Sequence, residues 1–417
     1  MLRFILADLR RLWAGALVMV LLIALAVALG VGVTLQERAL RLGSARAADA
    51  FDLVIGAPGS ETQLALSTVF LQPAALPLMR GALLADLAED PRVAWAAPVG
   101  FGDFYRDFPL VGTTTRLVRE FAPALAEGRV FAAEGEAVVG SRVPLAIGAE
   151  ITPSHGALAH GGQDHEGVHY HVAGRMAPTG TAWDRAILVP IRSVWDVHGM
   201  EGADGHDPGH AHDGRDHDHD GHGFDPAAPL DEAWHGDDTP GLPAILVKPA
   251  SIADAYKLRQ DYRAGGATLA VFPAEVLTGL YGLLGDARQV LSFVALGAQL
   301  LVAAALALVT VIHVGQRRRQ VAALRAFGAP RGAIFALVWS EMLLLLAAGI
   351  LLGFAGGWLA AVQLSRLVSA RQGFDLPVEW APGDAAGLAA LLVVAAVLAA
   401  LPAWIAYRQP AVASLRG

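Results

Sequence analysis

The chain has 417 residues, 54% of them hydrophobic and 17% charged, with a net charge of −8 and no cysteine. A mean hydropathy of +0.46 is too apolar for an ordinary soluble protein, so membrane segments have to be sought first. The acidic balance argues against a nucleic-acid partner, and the lack of cysteine excludes disulfides, thiolate metal sites and thiol nucleophiles.

A bilayer core about 30 Å thick needs roughly 20 apolar residues in a helix. In chain order, four stretches meet this: 12–33, 290–314, 334–359 and 385–405. Arg10 and Arg11 precede the first, with small residues at Ala48 and Ala50, as in a signal peptide. Its apolar run is long for a signal peptide, which favours a retained anchor. Arginine placement sets the orientation. Residues 1–11 and 315–333 carry Arg3, Arg10, Arg11, Arg317, Arg318, Arg319, Arg325 and Arg331, and are expected to be cytoplasmic. The acid-bearing loop 360–384 is expected outside and the basic tail 406–417 inside. Both termini are then cytoplasmic, and residues 34–289 form one large extracytoplasmic domain.

That domain holds short β-type runs bounded by turn residues: 51–56, 104–112, 136–140, 169–174, 186–190, 244–247 and 269–272. Between them, 252–264 reads as an amphipathic helix with Ser251 as N-cap. The expected class is a membrane α-helical protein, one span before and three after an α+β extracytoplasmic domain. Pro273 suits a first helical turn, and no second proline follows before Val314. The second span is therefore read either as a stalk rising into the outer domain or as a loop plus an ordinary span, broken at Gly282 or Gly285.

Thirteen of the 14 histidines lie between His155 and His235. An insertion near 199–238 holds His206, His210, His212, His217, His219 and His222 among aspartates. Imidazole and carboxylate together suit Zn²⁺, Ni²⁺ or Cu²⁺; equally, such a polar, glycine-rich composition suits a solvated insertion without metal. His165-Glu166-Gly167-Val168-His169 fits the H-E-x-x-H pattern of zinc proteases, which requires a helix. Gly161, Gly162 and Gly167 disfavour one, and the alternation from Val168 to Val172 predicts a strand with His169 and His171 on one face. The match is read as a false positive for catalysis. A metal-binding strand and loop from His155 to His171, with His165, His169 and His171 as ligands, is the more credible reading.

The third span carries Gly349, Gly353 and Gly357 at four-residue spacing, a face that lets another helix approach closely, within the chain or across a dimer. No G-x-x-x-x-G-K-[ST] motif occurs, and the lysines are Lys248 and Lys257 alone. ATP hydrolysis, if it drives this chain, is expected in another subunit.

The segment Gln316-Arg317-Arg318-Arg319-Gln320-Val321-Ala322-Ala323-Leu324-Arg325-Ala326-Phe327-Gly328-Ala329-Pro330-Arg331, followed by Glu341, resembles the permease family of the macrolide exporter MacB and the cell-division protein FtsX. Gln320 stands where that family usually has Glu, and Phe327 where it usually has Leu. The tail from Pro402-Ala403-Trp404 to Pro410-Ala411 and Leu415-Arg416 is similar to the family's ending. The resemblance implies a bacterial inner-membrane homodimer seated on two ABC ATPase subunits, which bind ATP and Mg²⁺. It also implies that Arg317 to Arg331 docks in a groove of the ATPase. Val321, Leu324 and Phe327 would offer an apolar stripe, and the arginines would meet acidic groups or lipid headgroups. The expected function is coupling of that ATPase to movement of the outer domain, for export or extraction of a lipid, lipoprotein, peptide or drug-like substrate. The alternatives are metal-linked transport or sensing, and force transmission to a periplasmic partner without transport.

Overall fold

A computed structural model describes residues 13–155, 163–165, 167–200, 224–234, 239–280, 293, 297 and 329–408. The second span (apart from Phe293 and Gly297, both helical), the basic segment before Ala329, the histidines from His206 to His222 and the tail after Arg408 lie outside the described residues. The chain divides into two compact units. One comprises Met1–Leu40, Leu284–Leu367 and Pro377–Gly417; the other comprises Arg41–Leu283 and Val368–Leu376.

Among the described residues, three helices are long and apolar enough to cross a membrane. They are α1 (Trp13–Ala48), α7 (Arg331–Gln372) and α8 (Pro382–Arg408). Each outruns the apolar stretch that announced it. Hydropathy marks what a bilayer can hold, whereas a helix continues until something breaks it. Beyond Val33, α1 runs on through Leu35-Gln36-Glu37-Arg38-Ala39-Leu40, good helix formers without proline. α7 likewise crosses most of the expected loop 360–384 and stops only at Gly373, whose φ of +86° suits glycine. That expected loop is in fact short, because residues 360–372 are helical. α8 opens on Pro382, with Asp384 accepting from the Ala381 N–H at 2.9 Å, and carries Pro402 inside it.

In the helical unit the three glycines face α1. A Cβ on Gly349 would sit 2.7 Å from the Ile23 Cβ, on Gly353 2.5 Å from the Ala24 carbonyl oxygen, and on Gly357 2.7 Å from the Ala28 carbonyl oxygen. The small-residue face therefore serves a contact within the chain. Met19, Met342, Leu345 and Ala399 pack together above Ile23, Ile350 and Ala395, tying α1, α7 and α8. Arg38 clasps Asp384 through two hydrogen bonds of 2.7 and 2.8 Å. Outward-facing Leu25 is 71% exposed and Val397 66%, as lipid-facing residues should be.

The other unit holds two sheets. Strands β1 (Leu53–Gly56), β2 (Val93–Val99), β12 (Ala244–Pro249) and β13 (Leu269–Val271) pair antiparallel in the order β13-β1-β12-β2. Helices α2 (Glu61–Phe70), α3 (Ala82–Glu89) and α6 (Ile252–Ala264) belong to the same part of the chain, and Leu53, Ile55, Leu84, Leu87, Ile245 and Leu258 fill the core. α6 has the predicted bounds, with the Ser251 Oγ accepting from the Asp254 N–H at 3.2 Å. Residues 273–280 are helical from Pro273 onward, as expected.

The second sheet runs β5 (Leu125–Gly128), β10 (Tyr170–Met176), β6 (Glu136–Val139), β11 (Ile187–Pro190), β4 (Phe108–Thr113), β3 (Asp103–Tyr105), β8 (Ser154–His155) and β9 (Gln163–Asp164), with β7 (Glu150–Ile151) on β10. The run expected as a single strand at 104–112 is instead a hairpin, turning at Arg106, whose φ is +58°. Ile151, Tyr170, Val172, Ile187 and Val189 form this sheet's core. Helix α4 (Thr115–Phe121) brings Phe121 edge-on to Trp183, which is fully buried and donates from Nε1 to the Thr68 carbonyl at 3.0 Å. The last turn of α7 belongs to this unit: Arg142 donates to the Ser369 carbonyl at 2.7 Å and Arg185 to the Ala370 carbonyl at 2.9 Å.

Between the two cores lies α5 (Ile191–Val197). Its Ile191 and Trp195 join the four-stranded sheet's cluster, while Val194 and Val197 pack on the other. The chain passes from β2 to β3 through Gly100 and Gly102. A Cβ on Gly100 would lie 2.7 Å from Ile191 Cδ1, and Gly102 has φ +151°.

Candidate metal centre

The seam marked by α5 gathers four ligand-bearing side chains. Asp103 opens β3, His155 ends β8, His165 follows β9, and His198 caps the C-terminus of α5. One ligand atom from each lies within 4.8 Å of every other. Local rules position each of them. The β3–β8 register sets Asp103 opposite His155, and the β8–β9 hairpin returns His165 beside them. His198 is held by its own helix: its backbone N–H and its Nδ1 both lie within hydrogen-bonding distance of the Val194 carbonyl, at 3.2 and 2.8 Å.

Three imidazole nitrogens converge on a single carboxylate oxygen. From Asp103 Oδ1 the distances are 3.3 Å to His165 Nε2, 3.4 Å to His198 Nε2 and 3.5 Å to His155 Nδ1. Burial pushes the Asp103 carboxyl up, but hydrogen bonds and charge from His165 and His198 outweigh it and hold it well below the usual carboxylate range. The hydrogen bond to Asp103 raises His198 against the opposing effect of burial. The Asp103 side chain is 7% exposed and that of His155 66%, so the buried charge has an open side.

The histidines expected as ligands separate here. His165 enters the cluster, while His169 and His171 do not. Tyr170 points into the core and its two neighbours point out, which is the strand alternation expected for them. His169 sits 2.9 Å from Glu150 and 3.1 Å from Thr152 Oγ1, on the exposed face. His165 and His169 are in coil and residue 167 in a turn, so among the described residues H-E-x-x-H lacks the helix that zinc-protease chemistry requires. Asp103, His155 and His198 were not among the ligands expected from the sequence, although His155 bounds the expected stretch. His198 stands apart from the dense tract at a helix end, which was a signal; nothing local marks Asp103.

Comparison with known proteins bears on the other end of the chain. Residues 292–411 match the model of the FtsX-like permease C-terminal domain. No curated protein matches the chain. Among solved structures, the periplasmic region of MacB from Actinobacillus actinomycetemcomitans overlays with 8% identity and a TM-score of 0.32, covering 56% of this chain and 95% of that one. The extracellular domain of the noncanonic ABC-type transporter YknZ from Gram-positive bacteria gives 11% and 0.29, covering 53% and 98%. Neither overlay bears on what this chain binds. The match over 292–411 falls on the same basic segment and tail that carried the sequence resemblance, and over those residues the chain is similar to the C-terminal domain of FtsX-like permeases.

Proposed function

We propose that the chain couples ATP hydrolysis in a separate ATPase subunit to movement of its extracytoplasmic domain, expelling or extracting a lipid, lipoprotein, peptide or drug-like substrate. The observation that carries this is the permease match over 292–411, which spans the basic segment Arg317 to Arg331. In this reading the arginines from Arg317 to Arg331, the stripe of Val321, Leu324 and Phe327, and Gly328 among them seat on the ATPase, and two copies of the chain form the working permease. Helices α1 and α7 each supply residues to both units, so displacement of either helix is passed on along continuous backbone. The glycine-mediated contact of α7 with α1 favours their moving together.

The test is co-purification with the companion ATPase in lipid nanodiscs, followed by ATPase assay. Leu324→Asp with Phe327→Asp should abolish association and leave the permease folded. Undiminished association and ATPase activity would contradict the coupling role. A metal-linked form of this function is favoured by the four-residue cluster, in which a divalent cation bound to the outer domain regulates the stroke or is its cargo.

A further inference from the structure

We propose that Asp103, His155, His165 and His198 bind one divalent cation of the Zn²⁺ class, and that binding clamps the β8–β9 hairpin to the C-terminal end of α5. The inference rests on the metal-linked reading above and adds to it a ligand set and a consequence.

The first argument is stoichiometric. An ionised carboxylate has about two lone-pair sites on each oxygen, so one oxygen does not satisfy three imidazoles as a hydrogen-bond hub. As ligands the same four atoms would each offer one lone pair, and all of them lie within 4.8 Å of one another. A tetrahedral ion with bonds of about 2.0–2.1 Å has ligand–ligand separations of about 3.3–3.4 Å. The three distances from Asp103 Oδ1, at 3.3, 3.4 and 3.5 Å, match that edge. Three nitrogens and one oxygen form a set that suits Zn²⁺ better than Mg²⁺ or Ca²⁺, which take oxygen donors.

The second argument is orientation. A ligating histidine typically donates its other ring N–H to a fixed acceptor. The His198 Nδ1 lies 2.8 Å from the Val194 carbonyl, which leaves the lone pair on Nε2, the nitrogen that faces Asp103. His155, open to solvent, supplies the entry side.

The consequence follows from how short the two strands of the hairpin are. β8 and β9 pair through Ser154 with Asp164 and His155 with Gln163, and β8 meets β3 through two residues. Strands this short are marginal without further support. A cation joining His155 and His165 to His198 would tie them to α5, which packs into both sheet cores. Metal occupancy would then set the rigidity of the seam between the sheets, a device suited to gating the domain's movement by metal supply.

The experiment uses the full-length chain in nanodiscs with His206, His210, His212, His217, His219 and His222 replaced by Asn, so that the tract does not contribute. Zn²⁺ is titrated against a chromogenic chelator, and amide exchange of residues 154–165 is followed with and without Zn²⁺. The expected result is one Zn²⁺ per chain, an affinity at least about tenfold weaker in both His155→Ala and His165→Asn, and Zn²⁺-dependent slowing of exchange that both variants lose. His155→Ala, at an exposed position, keeps the test valid if His165→Asn does not fold. Affinity within twofold of the parent in His155→Ala, or saturable binding with no change in exchange, would overturn the proposal. A permease that fails to couple to its ATPase would leave both readouts as expected, so the two failures are distinguishable.

Discussion

The two units solve the packing problem in opposite ways. In the sheet unit, large side chains do the work: Trp183, Tyr170, Phe131 and Leu87 are fully buried, and backbone approach is left to strand pairing. In the helical unit many large apolar side chains, such as Leu25 and Val397, point away, and beside the small cluster of Met19, Met342 and Leu345 the closest backbone approach is made where side chains are missing, at Gly349, Gly353 and Gly357. Water rewards hiding apolar surface, whereas lipid does not, so association in the membrane is left to backbone proximity and dispersion. The same residue type therefore carries opposite weight in the two regions.

The largest expected effect sharpens this contrast from the sheet side. Trp183→Ala should destabilise the sheet unit by about 3–5 kcal/mol, since it opens a cavity and leaves the Thr68 carbonyl without its indole donor. Denaturant unfolding followed by amide exchange of residues 41–280 would check it.

The helical unit should respond to added volume. Gly353→Val should lower stability by about 1–3 kcal/mol, because the new Cβ meets the Ala24 carbonyl oxygen at 2.5 Å. Gly356→Val, three residues on, meets nothing within 4 Å and should be close to neutral. Equal thermal melting of the two variants in detergent would break the comparison.

A smaller effect is set by pH. Burial, reinforced by the charges of Asp196 and Glu232, pushes the Glu134 carboxyl up to about 7, and its Oε2 is buried without a hydrogen-bond partner. Between the ordinary carboxylate value and about 7 the folded chain holds a proton that the unfolded chain releases, so stability should fall as pH rises through that window. Glu134→Gln removes the dependence. Its melting temperature should exceed that of the parent at about pH 8 and match it at about pH 4; a constant offset would show that Glu134 does not titrate there.

The elements legible in the sequence were those fixed by neighbours along the chain. Helix α6 could be read because Ser251, Asp254 and the following periodicity all act within four residues. Strands β1, β6, β11 and β12 could be read as apolar runs between turn residues. The ends of α1 and α7 were not, since nothing in a hydropathy window registers a helix that continues into water. The turn at Arg106 was missed because a positive φ there is held by hairpin pairing and not by a glycine. The metal cluster was half legible. His165 stood out by composition and His155 lay in the right stretch, but Asp103 joins them only through strand register, and His198 only through the placement of α5.

The proposed coupling requires the sheet unit and the basic segment to lie on opposite sides of the membrane. The chain has no cysteine, so single cysteines can be labelled without background. Lys257→Cys, at a side chain 66% exposed, and Arg319→Cys would be treated with a membrane-impermeant maleimide in spheroplasts and again after lysis. The account predicts labelling of Lys257→Cys in both and of Arg319→Cys only after lysis; labelling of Arg319→Cys in intact spheroplasts, or protection of Lys257→Cys, would contradict it.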